Sequence, residues 1–163
     1  MFSLKDREWR YFTVGEIFDI ISGKDVIPLI DNGDIPYINS SGVNNGVTNF
    51  IKDGIVSVEN VITIARTGTV GAAFYQPNFS YISGNIRALR LKNGQLNRSK
   101  AQFFITIFGQ AIRDKYNYAK ILGTSRIKRQ IVTLPINDSG SPDWQFMEGY
   151  IHEREQLQMR ITS

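Results

Sequence analysis

Tyr116–Asp143 reads YNYAKILGTSRIKRQIVTLPINDSGSPD. The stretch leaves an amphipathic helix, crosses a basic turn, enters a short apolar strand and passes a Gly/Pro loop into a last helix at Trp144. Lys120, Arg126, Lys128 and Arg129 fall within ten residues, with Gly123, Thr124 and Ser125 between them and no Asp or Glu to offset the charge. An uncompensated basic turn beside an apolar strand is what a phosphate-facing edge looks like. A solvated loop has the same local composition, so the rest of the chain has to decide.

Working outward, the segment from Asn97-Arg98-Ser99 to about residue 114 is expected to be a helix, with Phe103, Phe104, Ile107, Phe108, Ala111 and Ile112 on its buried face. After the turn, Gln130–Leu134 reads as a strand closed by Pro135. The last helix starts near Pro142-Asp143 and carries Phe146, Met147, Tyr150, Ile151, Leu157 and Ile161 on one stripe. Upstream, Glu8–Phe12 reads as a strand with Trp9, Tyr11 and Phe12 toward the core. Val14, Ile17, Phe18 and Ile21 have helical spacing, and Thr13 with Glu16 forms a capping-box pattern, so 14–20 is expected to be a helix ended by Ser22-Gly23. Ile35–Asn39 is a short strand, and Asn45-Gly46 predicts a hairpin turn because such turns need positive φ. Val58–Ala65 and Val70–Gln76 read as strands joined by RTGT, and Ile86–Leu91 as a half-buried strand.

The 163 residues suit one domain. The fold class is α/β in the α+β sense: a mixed, β-rich core with a few packed helices and a C-terminal helix. Residues 1–141 would form the domain and 142–163 the start of a projecting helix. A net charge of +4 permits a nucleic-acid partner without demanding one. The chain has no cysteine, so disulfides and thiolate sites are excluded, and His152 is its one histidine, too few for a multi-histidine metal site. No membrane span and no signal peptide are read, so a cytoplasmic location is expected.

The motifs of catalysis are missing. There is no GxxxxGK[ST] and no GxGxxG between strand and helix; Gly68-x-x-Gly71 is better explained as a tight turn between strands. The Gly-rich methyl-donor turn and the Asn/Asp-Pro-Pro-aromatic tetrapeptide of amino-methyltransferases do not occur. Asp31, Asp34, Asp53 and Glu59 do not form the Asp…Glu-x-Lys arrangement of a metal-dependent nuclease and serve more simply as turn formers. His152, beside Glu153 and Glu155, reads as an exposed helix residue. No catalytic residue, metal or cofactor is assigned.

What remains is a set of polar loops. Asn39, Ser40, Ser41, Asn44, Asn45, Arg66, Thr67, Thr69 and Gln76 gather in two inter-strand loops. Asn and Gln suit adenine edges and Arg suits guanine, though the same residues also dominate turns for conformational reasons. Taken singly each loop reads as turn-forming; two such loops and a basic turn in one basic domain bring DNA binding level with that reading.

The order of these motifs resembles a target recognition domain of the specificity subunit of type I restriction-modification systems, or a related module of fused type II enzymes. The resemblance is carried by WRYFTVGEIFDIISG (9–23), GDIPYINSSGVNNGVTNFI (33–51), NVITIARTGTVGAAFYQ (60–76), AQFFITIF (101–108), KYNYAKILGTSRIKRQIVTLPI (115–136) and SGSPDWQFMEGYI (139–151). It implies a non-catalytic domain that binds double-stranded DNA and directs separate methyltransferase and restriction subunits. It also implies a last helix that pairs with a second recognition domain or a second copy as a spacer between half-sites. The chain departs from many members in following its last strand with LPINDSGSPDW rather than a Pro-rich, Leu-x-Glu-Gln helix start.

On this reading the base-reading candidates are Asn39, Ser41, Asn44, Asn45, Arg66, Thr67 and Thr69. The phosphate-contact candidates are Lys24, Lys120, Thr124, Ser125, Arg126, Lys128 and Arg129. Phe146, Tyr150 and Leu157 are the helix-pairing candidates. The competing expectation is a protein-interaction module that docks through the last helix, with the basic turn merely solvated.

Overall fold

The computed structural model describes residues 1–113, 115–116 and 120–162. Asp114, where the sequence ends the long helix, residues 117–119 before the basic turn, and Ser163 lie outside the described residues.

The strands are β1 (Trp9–Thr13), β2 (Phe18–Ser22), β3 (Ile35–Ile38), β4 (Val47–Ile51), β5 (Ser57–Val58), β6 (Val61–Ala65), β7 (Ala73–Gln76), β8 (Ser80–Ile82), β9 (Ile86–Leu91) and β10 (Ile131–Pro135). The helices are α1 (Val14–Ile17), α2 (Arg98–Ile112), α3 (Thr124–Arg129) and α4 (Trp144–Thr162). They build three sheets: β1-β10, β2-β9-β6-β7 and β4-β3-β8-β5. The neighbours are antiparallel except β3 and β8, which run parallel.

Strand β6 explains why the sheets lie where they do. Every residue of VITIA is buried, so it reads as a continuous apolar run rather than an alternation. Ile62 and Ile64 join the main core with Phe18, Leu89, Phe103, Phe104, Phe108 and Leu134. Val61 and Ala65 join a smaller core with Ile38, Val58, Ile82, Ile86 and Ala88. Helix α2 covers the main core, and α4 lies beside α2 with Met147 fully buried. Asn97 caps α2 by accepting from the Lys100 amide at 2.9 Å, and its own amide reaches Glu148 of α4 at 2.7 Å.

Two expected elements change. The helix expected over 14–20 is a single turn. Thr13 and Glu16 form the capping box, but Phe18 is extended (φ −124°, ψ 147°). From there the chain pairs with β9, Phe18 opposite Leu91 and Ile20 opposite Leu89. The 3.6-residue spacing came from one helical turn followed by a period-two strand of branched residues, and strand pairing outweighs it. The basic turn is helix α3, because Ile127 is fully buried and anchors one face while Arg126, Lys128 and Arg129 occupy the last turn, where the helix dipole favours cations.

Smaller differences follow pairing and exposure. Tyr11 is exposed rather than core. The expected strand 58–65 is split into β5 and β6, which belong to different sheets. Strand β9 is mostly buried, being central in its sheet, and β8 had no clear sequence signal.

Candidate nucleic-acid interface

The hairpin between β3 and β4 turns at Val43–Gly46, where the Gly46 amide donates to the Val43 carbonyl at 3.0 Å. Asn44 (φ 53°) and Asn45 (φ 57°) take the left-handed conformation that such turns require, one residue earlier than the Asn-Gly pair suggested. The second loop, between β6 and β7, packs directly on the first. Gly68 has φ 66°, and a Cβ there would stand 2.9 Å from the Ser40 Cβ. A Cβ at Gly42 would likewise stand 3.1 Å from the Thr69 methyl. The two loops singled out in the sequence therefore form one surface. Ser40 Oγ, enclosed at that contact, has no hydrogen-bond partner among the described residues.

The polar side chains of these loops divide by what they hold. Asn39 Oδ1 accepts from the Ser40 amide (2.8 Å), the Ser83 hydroxyl (2.8 Å) and the Asn85 amide (3.3 Å). Thr67 donates to Asn85 Oδ1 at 2.9 Å. Asn45 donates to the Tyr75 carbonyl and to Gln76 Oε1, both at 3.1 Å. Gln76 is buried and returns a bond to the Asn45 carbonyl at 2.8 Å. These groups are engaged in building the loops. Asn44 and Thr69 are exposed, and the Ser41 hydroxyl bonds within its own turn, to the Val43 carbonyl and amide.

Helix α3 borders the same surface. The Leu122 amide donates to the Arg66 carbonyl at 3.1 Å. Arg66 and α3 enclose an open cleft of about 520 Å³ lined by Arg66, Ile121, Gly123, Thr124, Ser125, Arg126 and Arg129, with no carboxylate in its wall. Arg66 is fixed by Nε donating to the Gly84 carbonyl at 3.1 Å. Arg87 donates to that carbonyl from Nη1 at 2.9 Å and to Thr124 Oγ1 from Nε at 2.6 Å. Neither arginine makes an ion pair with a carboxylate among the described residues. Burial, and then the neighbouring Arg66 charge, pull Arg87 below the ordinary arginine range.

Around the rim, Arg126 donates to the Ile121 carbonyl at 2.6 Å, and its guanidinium lies 6.0 Å from the Tyr116 ring centroid. Lys120 lies over the same ring at 5.5 Å. Arg129 bonds Ser125 Oγ. Lys128 instead crosses Gly15 on the α1 side, away from the cleft, and Lys24 is exposed beside the 83–85 corner, its amide donating to the Ile82 carbonyl at 3.1 Å. Sequence reasoning missed Arg87, Ser83 and Asn85. The Ser-Gly-Asn triplet just ahead of β9 is a turn signal that could have drawn notice.

The helix-pairing candidates also divide. Phe146 is buried, and Tyr150 stacks on it at 6.2 Å and meets Phe103 at 5.9 Å, so both are taken up by the domain's own core. Leu157, Met159 and Ile161 are exposed on the outer half of α4. Among the described residues no helix is long and apolar enough to cross a membrane.

Comparison with known proteins agrees with this architecture. The family model described as the type I restriction modification DNA specificity domain matches residues 6–162. A specificity subunit of a type II restriction enzyme from Heyndrickxia coagulans, S.BcgI, is 35% identical over 156 residues, covering 94% of this chain and 45% of that protein. The S subunit of a type I restriction-modification system from M. genitalium superposes with a TM-score of 0.69 at 19% identity, over 98% of this chain and 43% of its own. The HsdS subunit from Thermoanaerobacter tengcongensis gives a TM-score of 0.64 at 15% identity, over 91% and 38%. These solved structures share the fold, and the chain spans less than half the length of each relative.

Proposed function

The chain belongs to the family of type I restriction-modification DNA specificity domains, and from that premise we propose that it recognises one half-site in double-stranded DNA. The observation that carries the reading is the convergence of both polar loops and α3 on one face, around the cleft lined by Arg66, Arg126 and Arg129 without a carboxylate. Phosphate contacts would fix the register and loop side chains would read base edges. Asn44, Thr69, Ser41 and Arg66 are the base readers we favour. Asn39, Asn45 and Thr67 would act by shaping the loops, since their side chains are committed internally. Lys24, Lys120, Arg126 and Arg129, helped by Thr124 and Ser125, would meet phosphates, whereas Lys128, laid across Gly15 on the α1 side, would at most add to the general positive field.

Residues 1–141 would be the recognition domain, and 142–163 the start of a spacer helix. Its exposed Leu157, Met159 and Ile161 would pair with a second recognition domain or a second copy. The domain would catalyse nothing itself. It would act in the cytoplasm, presenting DNA to a methyltransferase subunit and, in the full assembly, to a restriction subunit.

The test is selection from a random duplex pool, with the protein alone and with a modification subunit. An enriched motif of a few fixed bases is the expected result. Replacing Arg126 and Arg129 by Ala should lower the log-log salt slope by about one per lost phosphate contact. Failure to retain DNA even at low salt would reject the reading in favour of a protein-docking module.

A further inference from the structure

The corner Ser83–Gly84–Asn85 joins β8 to β9, and four separate segments are tied to it. The 39–46 loop reaches it through Asn39 Oδ1, which accepts from Ser83 Oγ at 2.8 Å and Asn85 Nδ2 at 3.3 Å. The 66–71 loop reaches it through Thr67, which donates to Asn85 Oδ1 at 2.9 Å, and through the Arg66 amide, which donates to the Asn85 carbonyl at 3.0 Å. Helix α3 reaches it through Arg87, which bridges Thr124 and the Gly84 carbonyl. The 23–25 segment reaches it through Asp25, which accepts from the Gly84 amide at 2.9 Å. Ser83 itself is 0% exposed, so its hydroxyl is out of reach of any ligand.

Resting on the DNA-reading function proposed above, we propose that Ser83 and Asn85 are positioning residues for sequence discrimination: they set the spacing between the two reading loops. A single carboxamide, Asn39, couples Ser83, Asn85 and the backbone of its own loop, while Asn85 couples Asn39 to Thr67. Such a chain of directional bonds fixes loop position in a way that apolar contact does not. Base readout depends on donors and acceptors meeting base edges at hydrogen-bond distance. Attraction to phosphates is long-ranged and tolerates a displaced loop. Loosening the corner therefore removes discrimination and leaves general DNA affinity in place.

The experiment uses the full-length protein, a duplex carrying the motif that it selects, and a scrambled duplex of equal length, titrated over a salt series. Ser83→Ala and Asn85→Ala are compared with Val132→Ala, a buried β10 residue far from the corner in the chain order and on the main core. For the two corner variants the preference for the motif is expected to fall roughly tenfold, the scale of one good base contact. Affinity for the scrambled duplex and the salt slope are expected to hold. Val132→Ala should lower the melting temperature and keep the preference. Two outcomes overturn the proposal while leaving DNA recognition intact: full preference in both corner variants, or equal loss on both duplexes. Loss of preference in Val132→Ala also overturns it, because discrimination would then track overall stability. A wild-type protein without any motif preference overturns this inference together with the function beneath it.

Discussion

The helical side of this domain and its loop-bearing end are held by different forces. On the helical side, rings meet rings: Phe18 lies 4.7 Å from Phe104, Phe104 is stacked 5.9 Å from Phe108, and Phe103 meets Tyr150 at 5.9 Å. These contacts are non-directional and tolerate small shifts. At the loop end, position is set by bonds between side chains distant in sequence, such as Asn39 with Ser83 and Asn45 with Gln76. Those bonds have one good geometry, and each leaves a costly orphan when broken. The contrast suits a recognition module, in which loop residues can change without rewriting the core that carries them.

If that division is sound, the largest stability loss comes from the ring cluster and leaves recognition alone. Phe104→Ala should cost about 3–5 kcal/mol by chemical denaturation, as deletion of a buried ring does. The protein that remains folded should show unaltered sequence preference. A changed preference would mean that the two sides are mechanically coupled. Asn45→Ala should cost less, about 2 kcal/mol, by removing its bonds to Tyr75 and Gln76 and by putting at φ 57° a residue without asparagine's tolerance of the left-handed region. Asn45→Gly should cost less again, since glycine removes the conformational part and leaves only the lost bonds. Equal costs would show that the left-handed turn is unstrained. A single polar residue on the helical side tests the division from the other direction: Asn97→Ala removes the α2 cap and the bond to Glu148 and should cost about 1 kcal/mol.

The two sides were not equally legible. Phe103, Phe104, Phe108 and Ile112 recur at helical spacing, and Asn97 marks the start, so α2 stands in the sequence within a residue or two. The apolar run of β6 was legible inside the longer strand read over 58–65, and the hairpin was legible to within one residue of the Asn45-Gly46 pair, because each is a strong local pattern. Where α1 becomes β2 was not, because the residues that decide it are those of β9, about seventy positions away. The basic residues of α3 were visible, but their helical form depends on Ile127 finding the core. The 83–85 corner was invisible for a deeper reason. Asn39 and Thr67 looked like readers by residue type and loop position, and only the fold supplies the partners, 44 and 18 residues away, that take up their side chains.

The smallest effect lies at the buried foot of the loop end, where Tyr37 is 1% exposed on β3. Burial raises its phenol above the usual tyrosine value. The Val26 backbone pulls it down, the Asp25 carboxylate adds to the rise, and the Ser83 hydroxyl offsets part of it. An unfolded tyrosine ionises near pH 10. With the folded value higher, the neutral phenol contributes its full stability below about pH 10, and that contribution is lost as pH climbs from there through the folded value. Tyr37→Phe has no proton to lose at this site. Its stability should therefore fall less steeply than wild type above about pH 10, by at most about 1.4 kcal/mol per pH unit for one proton. Tyr75, whose phenol is also raised by burial, titrates in both proteins and cancels in the difference. Parallel alkaline limbs in urea titrations from pH 9 to 11 would show that Tyr37 ionises as freely folded as unfolded, and that the loop end opens before its base does.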